Sequence, residues 1–232
     1  MSYAAKPRTS DWANEMQPSS PERAQLASLT YLAELKRKPR RDHEASFFFF
    51  DPAFQVNAVK ILPGEFFVYN EDIELTTTLG SCVAACICDR GAGIGGMNHF
   101  LLPDDQDGTA SGRFGAFAME LLINELIKQG ARRNALEAKI FGGGQVMKSF
   151  VTMNVGERNV DFVTKFLAAE RIPILAKDVL DVYPRKVCMF PKSGRVLCKR
   201  LPATHGKLFE VEEARYQRQA RTEASGGDIE LF

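Results

Sequence analysis

The chain has 232 residues, 45% of them hydrophobic and 25% charged, with a formal net charge of +1. That length and composition suit a globular protein with one domain of ordinary size plus tails, or two small ones. The near-zero charge excludes a global field that would gather nucleic acid or an anionic membrane. No window approaches the roughly 18–20 unbroken apolar residues of a spanning helix, and residues 1–23 lack the apolar core of a secretory signal. The expectation is therefore a cytoplasmic protein with no membrane insertion and no nucleic-acid partner.

The first 45 residues read as an N-terminal extension, partly disordered or only locally helical. Residues 1–20 are rich in Ser, Pro, Ala and charge. Pro21-Glu22-Arg23 suits a helical first turn, and Leu26, Leu29, Leu32 and Leu35 follow at about helical spacing. The basic run Lys36-Arg37-Lys38-Pro39-Arg40-Arg41 reads as a solvated linker, with a docking tail for an acidic partner or a membrane surface as the alternative. Phe47-Phe48-Phe49-Phe50 would be an aggregation hazard if exposed, so it is expected to pack on the domain edge as a strand or clamp.

From there the pattern alternates short strands and two helices. Strands are expected over residues 58–62, 65–69, 74–78, 82–88 and 94–102, split by Pro63-Gly64 and by Asp89-Arg90-Gly91-Ala92-Gly93. Residues 82–88 are apolar without interruption, which suits a strand buried on both faces. A polar loop, residues 103–111, leads to a helix over 114–129 with the i, i+3, i+4, i+7 rhythm of Phe114, Phe117, Ala118, Leu121, Leu122, Glu125 and Leu126. Glu125 is its one polar member, and Gly130 supplies a left-handed stop. A strand over 136–141 runs into Gly142-Gly143-Gly144, which lacks the Lys-Ser/Thr of a P-loop and reads as a tight turn. A second helix covers about 157–170. Strands follow over 172–178, 186–190 and 195–200, the last two turned by Ser193-Gly194. The tail from 206 to 232 is charged and poor in core residues. The sum is a single α/β domain of the α+β type over about residues 46–205, a layered sandwich of mixed, largely antiparallel sheets.

The five cysteines, Cys82, Cys86, Cys88, Cys188 and Cys198, are an odd number in a cytosolic-looking chain, which argues for free thiols. On one strand face Cys82 and Cys86 would lie roughly 13 Å apart, too far to share a zinc ion whose Zn–S bonds are about 2.3 Å. No metal site is expected. Most of these thiols read as packing residues.

Cys82 differs, because it follows Gly80-Ser81. Small residues allow a sharp turn and leave room beside the thiol, and backbone N–H groups at such a turn, around Gly80 and Ser81, can face an oxyanion. A thiol near pKa 8.5 needs a base to become a nucleophile at neutral pH. Of the three histidines, His43 lies in the basic run and His205 at the tail junction. Only His99 lies inside the domain, on the strand after Cys82, where an antiparallel return brings it near. Thr76, on the preceding strand, is the candidate to orient the imidazole, although the run Thr76-Thr77-Thr78 offers neighbouring hydroxyls.

Several blocks resemble one family. They are Thr76…Leu79-Gly80-Ser81-Cys82, Gly95-Gly96-Met97-Asn98-His99-Phe100-Leu101-Leu102-Pro103, Leu136-Glu137-Ala138-Lys139-Ile140-Phe141-Gly142-Gly143-Gly144, Asn154-Val155-Gly156-Glu157-Arg158-Asn159 and Asp181-Val182-Tyr183-Pro184-Arg185-Lys186. Together they resemble the CheD family of chemoreceptor glutamine deamidases, in the family's order, over about residues 58–200. The resemblance implies a layered α/β sandwich and a Cys82–His99–Thr76 triad. It also implies protein-glutamine glutaminase activity on methyl-accepting chemotaxis receptors, with no metal or organic cofactor. A CheC-type phosphatase is the implied further partner, and recruitment to membrane receptor arrays the implied place of action. The alternatives are a non-catalytic chemotaxis regulator that binds receptors or such a phosphatase, and a papain-like protease, whose Cys-Trp neighbourhood is missing here.

Overall fold

A computed structural model describes residues 21–71, 73–102, 109–145 and 155–202. The expectations for residues 1–20, for 103–108 and for the tail from 203, including His205, lie outside these. The chain divides into two units between Lys38 and Pro39. The first contains helix α1 (Pro21–Arg37), longer than the short helix its leucine spacing suggested.

The second unit holds ten strands and two long helices among its described residues. Strands β1 (Phe47–Asp51), β2 (Val56–Lys60), β4 (Glu74–Leu79), β9 (Arg185–Phe190) and β10 (Arg195–Arg200) form one five-stranded sheet in the order β1-β2-β4-β9-β10. Strands β3 (Phe66–Tyr69), β6 (Ile94–Asn98), β5 (Val83–Asp89), β7 (Glu137–Gly142) and β8 (Ile174–Val179) form the other, in the order β3-β6-β5-β7-β8. Only β2–β4 and β7–β8 pair in parallel. The expected mixed, largely antiparallel α+β sandwich is the architecture found.

Helices α2 (Thr109–Lys128) and α3 (Val155–Ala169) cover one face of the second sheet. Met119, Leu122, Ile123, Leu126, Val163 and Leu167 share a core with Val83, Ala85 and Ile87 of β5. Alternation sends Ala84, Cys86 and Cys88 to the opposite face, toward the first sheet. Every residue of β5 is buried, as its unbroken apolar run implied. Residues 109–111, expected in a loop, instead form the first turn of α2. Strand β6 ends at Asn98 rather than 102, and its pairing resumes only as the single bridge Val83–Phe100.

The phenylalanine run is an edge strand. Phe48 packs edge-on against Phe67 with centroids 5.6 Å apart, while Phe47 stays 57% exposed. Part of the basic run is not a solvated linker. The Arg40 guanidinium sits 4.6 Å over the Phe48 ring and bonds Glu44 at 3.1 Å. Arg41 pairs with Glu125, which explains the one polar residue on the apolar stripe of α2. Burial would push the Glu125 carboxyl up, but Arg41 and Gln129 hold it below its ordinary value.

Arg185 is fully buried at the start of β9. Its guanidinium donates to Asp178 at 2.9 Å, to the Tyr183 carbonyl at 2.9 Å and to the Leu180 carbonyl at 2.6 Å. It therefore folds the β8–β9 loop back on itself, although Leu180 (φ 64°) and Asp181 (φ 70°) both adopt left-handed backbone, which costs energy for residues with a side chain. Arg185→Leu leaves the Tyr183 and Leu180 carbonyls without that donor, and Asp178 with Arg200 alone. It is expected to lower unfolding stability by on the order of 3 kcal/mol, read as a reduced urea midpoint with an unchanged slope.

Candidate active site

The turn Gly80-Ser81-Cys82 is where the chain leaves the first sheet at β4 and enters the second at β5. Cys82 has no exposed surface. All three carbonyls of this turn are bound from outside it. Gly80 O accepts from Gly144 N at 2.7 Å, Ser81 O from Asn159 Nδ2 at 2.9 Å, and Cys82 O from Gly143 N at 2.7 Å. The glycines are required. Gly142 has φ +106° and Gly143 φ +67°, and a Cβ on Gly142 would lie 2.2 Å from the Cys82 carbonyl oxygen. The triglycine is thus the tight turn expected, and it closes on the cysteine. A planar trans peptide points its N–H opposite its C=O, so the Ser81 N–H faces away from Gly144 and the Cys82 N–H away from Asn159.

His99 follows β6. Its backbone is anchored twice by the β2–β3 connection, since His99 N donates to Glu65 O at 2.9 Å and His99 O accepts from Gly64 N at 2.7 Å. The bridge Val83–Phe100 continues the β5–β6 register. That places Ala84 opposite His99, and Cys82, two residues before Ala84, on the same face at the diagonal position. Diagonal neighbours lie within reach of long side chains. The antiparallel return therefore brings the cysteine and the histidine to one face, as their spacing suggested.

The hydroxyl at the imidazole is one residue on from the one expected. Thr77, not Thr76, bonds the imidazole, with Oγ1 2.8 Å from His99 Nδ1. Thr76 Oγ1 instead donates to Val187 O at 3.2 Å and lies 3.5 Å from Cys188 Sγ. The reason is strand parity combined with topology. Strand β4 is not a sheet neighbour of β5; it lies in the facing sheet, so only residues on its inward face reach His99. Thr77 lies on that face, and Thr76, directly paired with Cys188, lies on the other.

The Thr77 hydroxyl also donates to Ile61 O at 2.8 Å. Its single proton is thereby used, so its oxygen accepts from Nδ1–H. This tautomer leaves Nε2 as the lone-pair nitrogen, and that buried atom has no hydrogen-bond partner among the described residues. Burial pulls the His99 pKa down to about 4, with the Ile61 carbonyl opposing and Lys60 assisting. The ring is neutral at pH 7 and can accept a proton.

No disulfide joins any of the five cysteines, and burial pushes Cys86, Cys88 and Cys198 up and Cys188 up to about 12. They stay protonated and inert at neutral pH. His43 meets Phe117 edge-on at 5.5 Å, with no part in this cluster.

Residue spacing did not assign Asn159 a function. It is fully buried on α3, its Oδ1 accepting from Leu102 N at 2.9 Å while its Nδ2 holds Ser81 O. The only sequence signal was its place in a motif block carrying no obvious chemistry.

The geometry points to a class of protein: a two-sheet α/β scaffold that turns a cysteine and a neutral, threonine-bonded histidine to one face, residue types that suit thiol-dependent acyl transfer. A family model described as CheD chemotactic sensory transduction matches residues 101–200. The "Probable chemoreceptor glutamine deamidase CheD 1" of Albidiferax ferrireducens is 53% identical over 206 residues, covering 88% of either chain. The protein of the same name from Dechloromonas aromatica is 53% identical over 194 residues, covering 82% of this chain and 96% of its own. The "Probable chemoreceptor glutamine deamidase CheD" of Herminiimonas arsenicoxydans is 49% identical over 83% of this chain. This chain belongs to the CheD family. No helix among the described residues is long and apolar enough to cross a membrane.

The depressed His99 pKa has a stability consequence. The unfolded histidine binds its proton near pH 6.5 and the folded one only near pH 4, so stability is lost as pH falls between those values. The loss attributable to His99 is about 3 kcal/mol. Chemical denaturation of the wild type and of His99→Gln across that window should show the steeper fall in the wild type.

Proposed function

We propose that this chain is a protein-glutamine glutaminase that converts glutamine side chains of methyl-accepting chemotaxis receptors to glutamate, releasing ammonia. Family membership supplies the substrate class, and the His99 imidazole carries the chemistry. Its Nδ1 is fixed on Thr77 and its Nε2 is open, on the face where the register puts Cys82. The catalytic residues in this reading are Cys82, His99 and Thr77, with Thr77 in the place expected for Thr76.

Because His99 is neutral, the thiol is deprotonated as it attacks rather than beforehand. The Cys82 sulfur adds to the glutamine carboxamide carbon while His99 Nε2 takes the thiol proton. Backbone amides of the Gly80-Ser81-Cys82 turn stabilise the tetrahedral oxyanion. The carbon–nitrogen bond then breaks, and the imidazolium returns its proton to the leaving nitrogen, which departs as ammonia. Water, deprotonated by His99, adds to the resulting thioester. Cleavage of the carbon–sulfur bond yields glutamate and the free thiol. Thr77 keeps Nδ1 protonated throughout, so the proton always moves at Nε2.

The product carboxylate is a site for receptor methylation, which places the reaction in chemotaxis adaptation. The proposed place of work is the cytoplasm, at membrane receptor arrays, with a CheC-type phosphatase as a partner on the same face. A regulator acting by binding alone would keep its biological effect in Cys82→Ala.

The test is ammonia release and the gain of about one dalton per converted glutamine on a chemoreceptor cytoplasmic fragment. Cys82→Ala is expected to abolish both, and unchanged ammonia release in that variant rejects the nucleophile. Thr77→Val should lower kcat roughly ten- to hundredfold by freeing the ring orientation, whereas Thr76→Val should stay within about twofold of wild type. The reverse ranking of the two threonines would sink the Thr77 assignment.

A further inference from the structure

Helix α3 turns Gly156, Asn159, Val163 and Leu167 inward as one buried stripe. Three of these suit a packed apolar interface, but Asn159 carries a carboxamide with no exposed surface. Burying that group is unfavourable unless both its ends are bonded. Both are, and their partners lie 78 and 57 residues away along the chain. Nδ2 holds the carbonyl of Ser81, the residue before the nucleophile, and Oδ1 holds the amide of Leu102, on the segment that has just delivered His99.

The helix that bears this side chain is itself seated on the same site. A Cβ on Gly156 would lie 2.3 Å from Gly143 O, so α3 approaches Gly143 backbone to backbone, and Gly143 N binds the Cys82 carbonyl. Asn159 is therefore referenced to the triglycine and reaches over to two segments. Its bond to Ser81 O fixes the Ser81–Cys82 peptide plane. By planarity this also fixes the direction of the Cys82 N–H and the start of the Cys82 side chain. Its bond to Leu102 N fixes the chain just beyond His99. A hydrophobic residue of similar size would fill the space and set neither.

We propose that Asn159 is a positioning residue for the deamidation, holding the Cys82 turn and the His99 segment at the one spacing that lets thiol and imidazole exchange a proton. This rests on the Cys82–His99 reading above. Asn159 touches neither the substrate nor the reacting atoms; it acts through Ser81 and Leu102.

Two variants separate positioning from packing. Asn159→Asp keeps size and the acceptor for Leu102 but sets a carboxylate against the Ser81 carbonyl. Asn159→Leu removes both bonds. The first measurement is iodoacetamide alkylation of Cys82, mapped by peptide mass spectrometry across the pH range in which the wild-type thiol titrates, and it needs no receptor. Both variants are expected to move the profile up by about one pH unit, which is roughly tenfold slower at neutral pH. The second is ammonia release from a chemoreceptor cytoplasmic fragment, where kcat should fall roughly ten- to hundredfold with KM within about twofold. If Asn159→Leu does not fold, Asn159→Asp decides.

An alkylation profile in Asn159→Asp that superimposes on the wild type overturns the proposal. So does a loss of activity that appears only as a raised KM. If wild-type protein releases no ammonia but the alkylation profiles separate as expected, the deamidase reading fails and the positioning role stands. A wild-type Cys82 that resists the reagent at every pH overturns both.

Discussion

The hydrogen bond between Thr77 and His99 crosses from one sheet to the other, and the proposed chemistry depends on it. A buried imidazole can hold its proton on either nitrogen, and only one choice makes it a base toward the thiol. Thr77 decides because its own proton is committed to the Ile61 carbonyl, which leaves its oxygen to accept from Nδ1. The bond requires the two sheets to be layered with β4 facing the end of β6. It also requires His99 to be held by its backbone, as Gly64 and Glu65 hold it. The fold is thus a device for bringing a hydroxyl from one layer to an imidazole on another, in a space dry enough to keep the ring neutral.

Cys82 is placed by a different means. Cys82 sits where the chain crosses between the sheets, and no regular ladder satisfies the carbonyls of such a crossing. Buried carbonyls left unpaired would be costly, and here Gly143, Gly144 and Asn159 supply the donors. Gly142 permits that approach, since its positive φ and the 2.2 Å at which a Cβ would meet Cys82 O leave no room for a side chain. The far side of the triglycine is held in turn by the β8–β9 loop, with Leu180 N on Gly142 O and Gln145 N on Asp181 O, and Arg185 organises that loop. What looks along the chain like several unrelated motif blocks is, in space, one shell of backbone contacts around the Gly80-Ser81-Cys82 turn.

Much of the fold was legible along the chain because the signals were local. Unbroken apolar residues marked β5 as a strand buried on both faces. The helical rhythm marked α2, and Ser193-Gly194 marked the β9–β10 hairpin. Glu125 and Arg41 were not legible together, since a polar residue on an apolar stripe announces that it needs a partner without saying which of many cations supplies it. The pairing joins residues 84 positions apart. Asn159 was obscure for the same reason: a carboxamide in a helical pattern looks like an ordinary polar residue until both its partners are seen.

Read along the chain, the residues narrowed the candidates for chemistry. One cysteine stands behind a small-residue turn, one histidine lies inside the domain, and an antiparallel return between them puts both on one face, because side-chain direction alternates along strands. The sequence alone could not decide which threonine serves the histidine. Consecutive hydroxyls on a strand point to opposite faces, and the face that counts depends on which sheet the strand joins. Only tertiary structure settles that, because β4 pairs with β2 and β9 rather than with β5, and a strand's partners are set by contacts distant in the chain. The same layering turns Thr77 inward to the imidazole and Thr76 outward to Cys188.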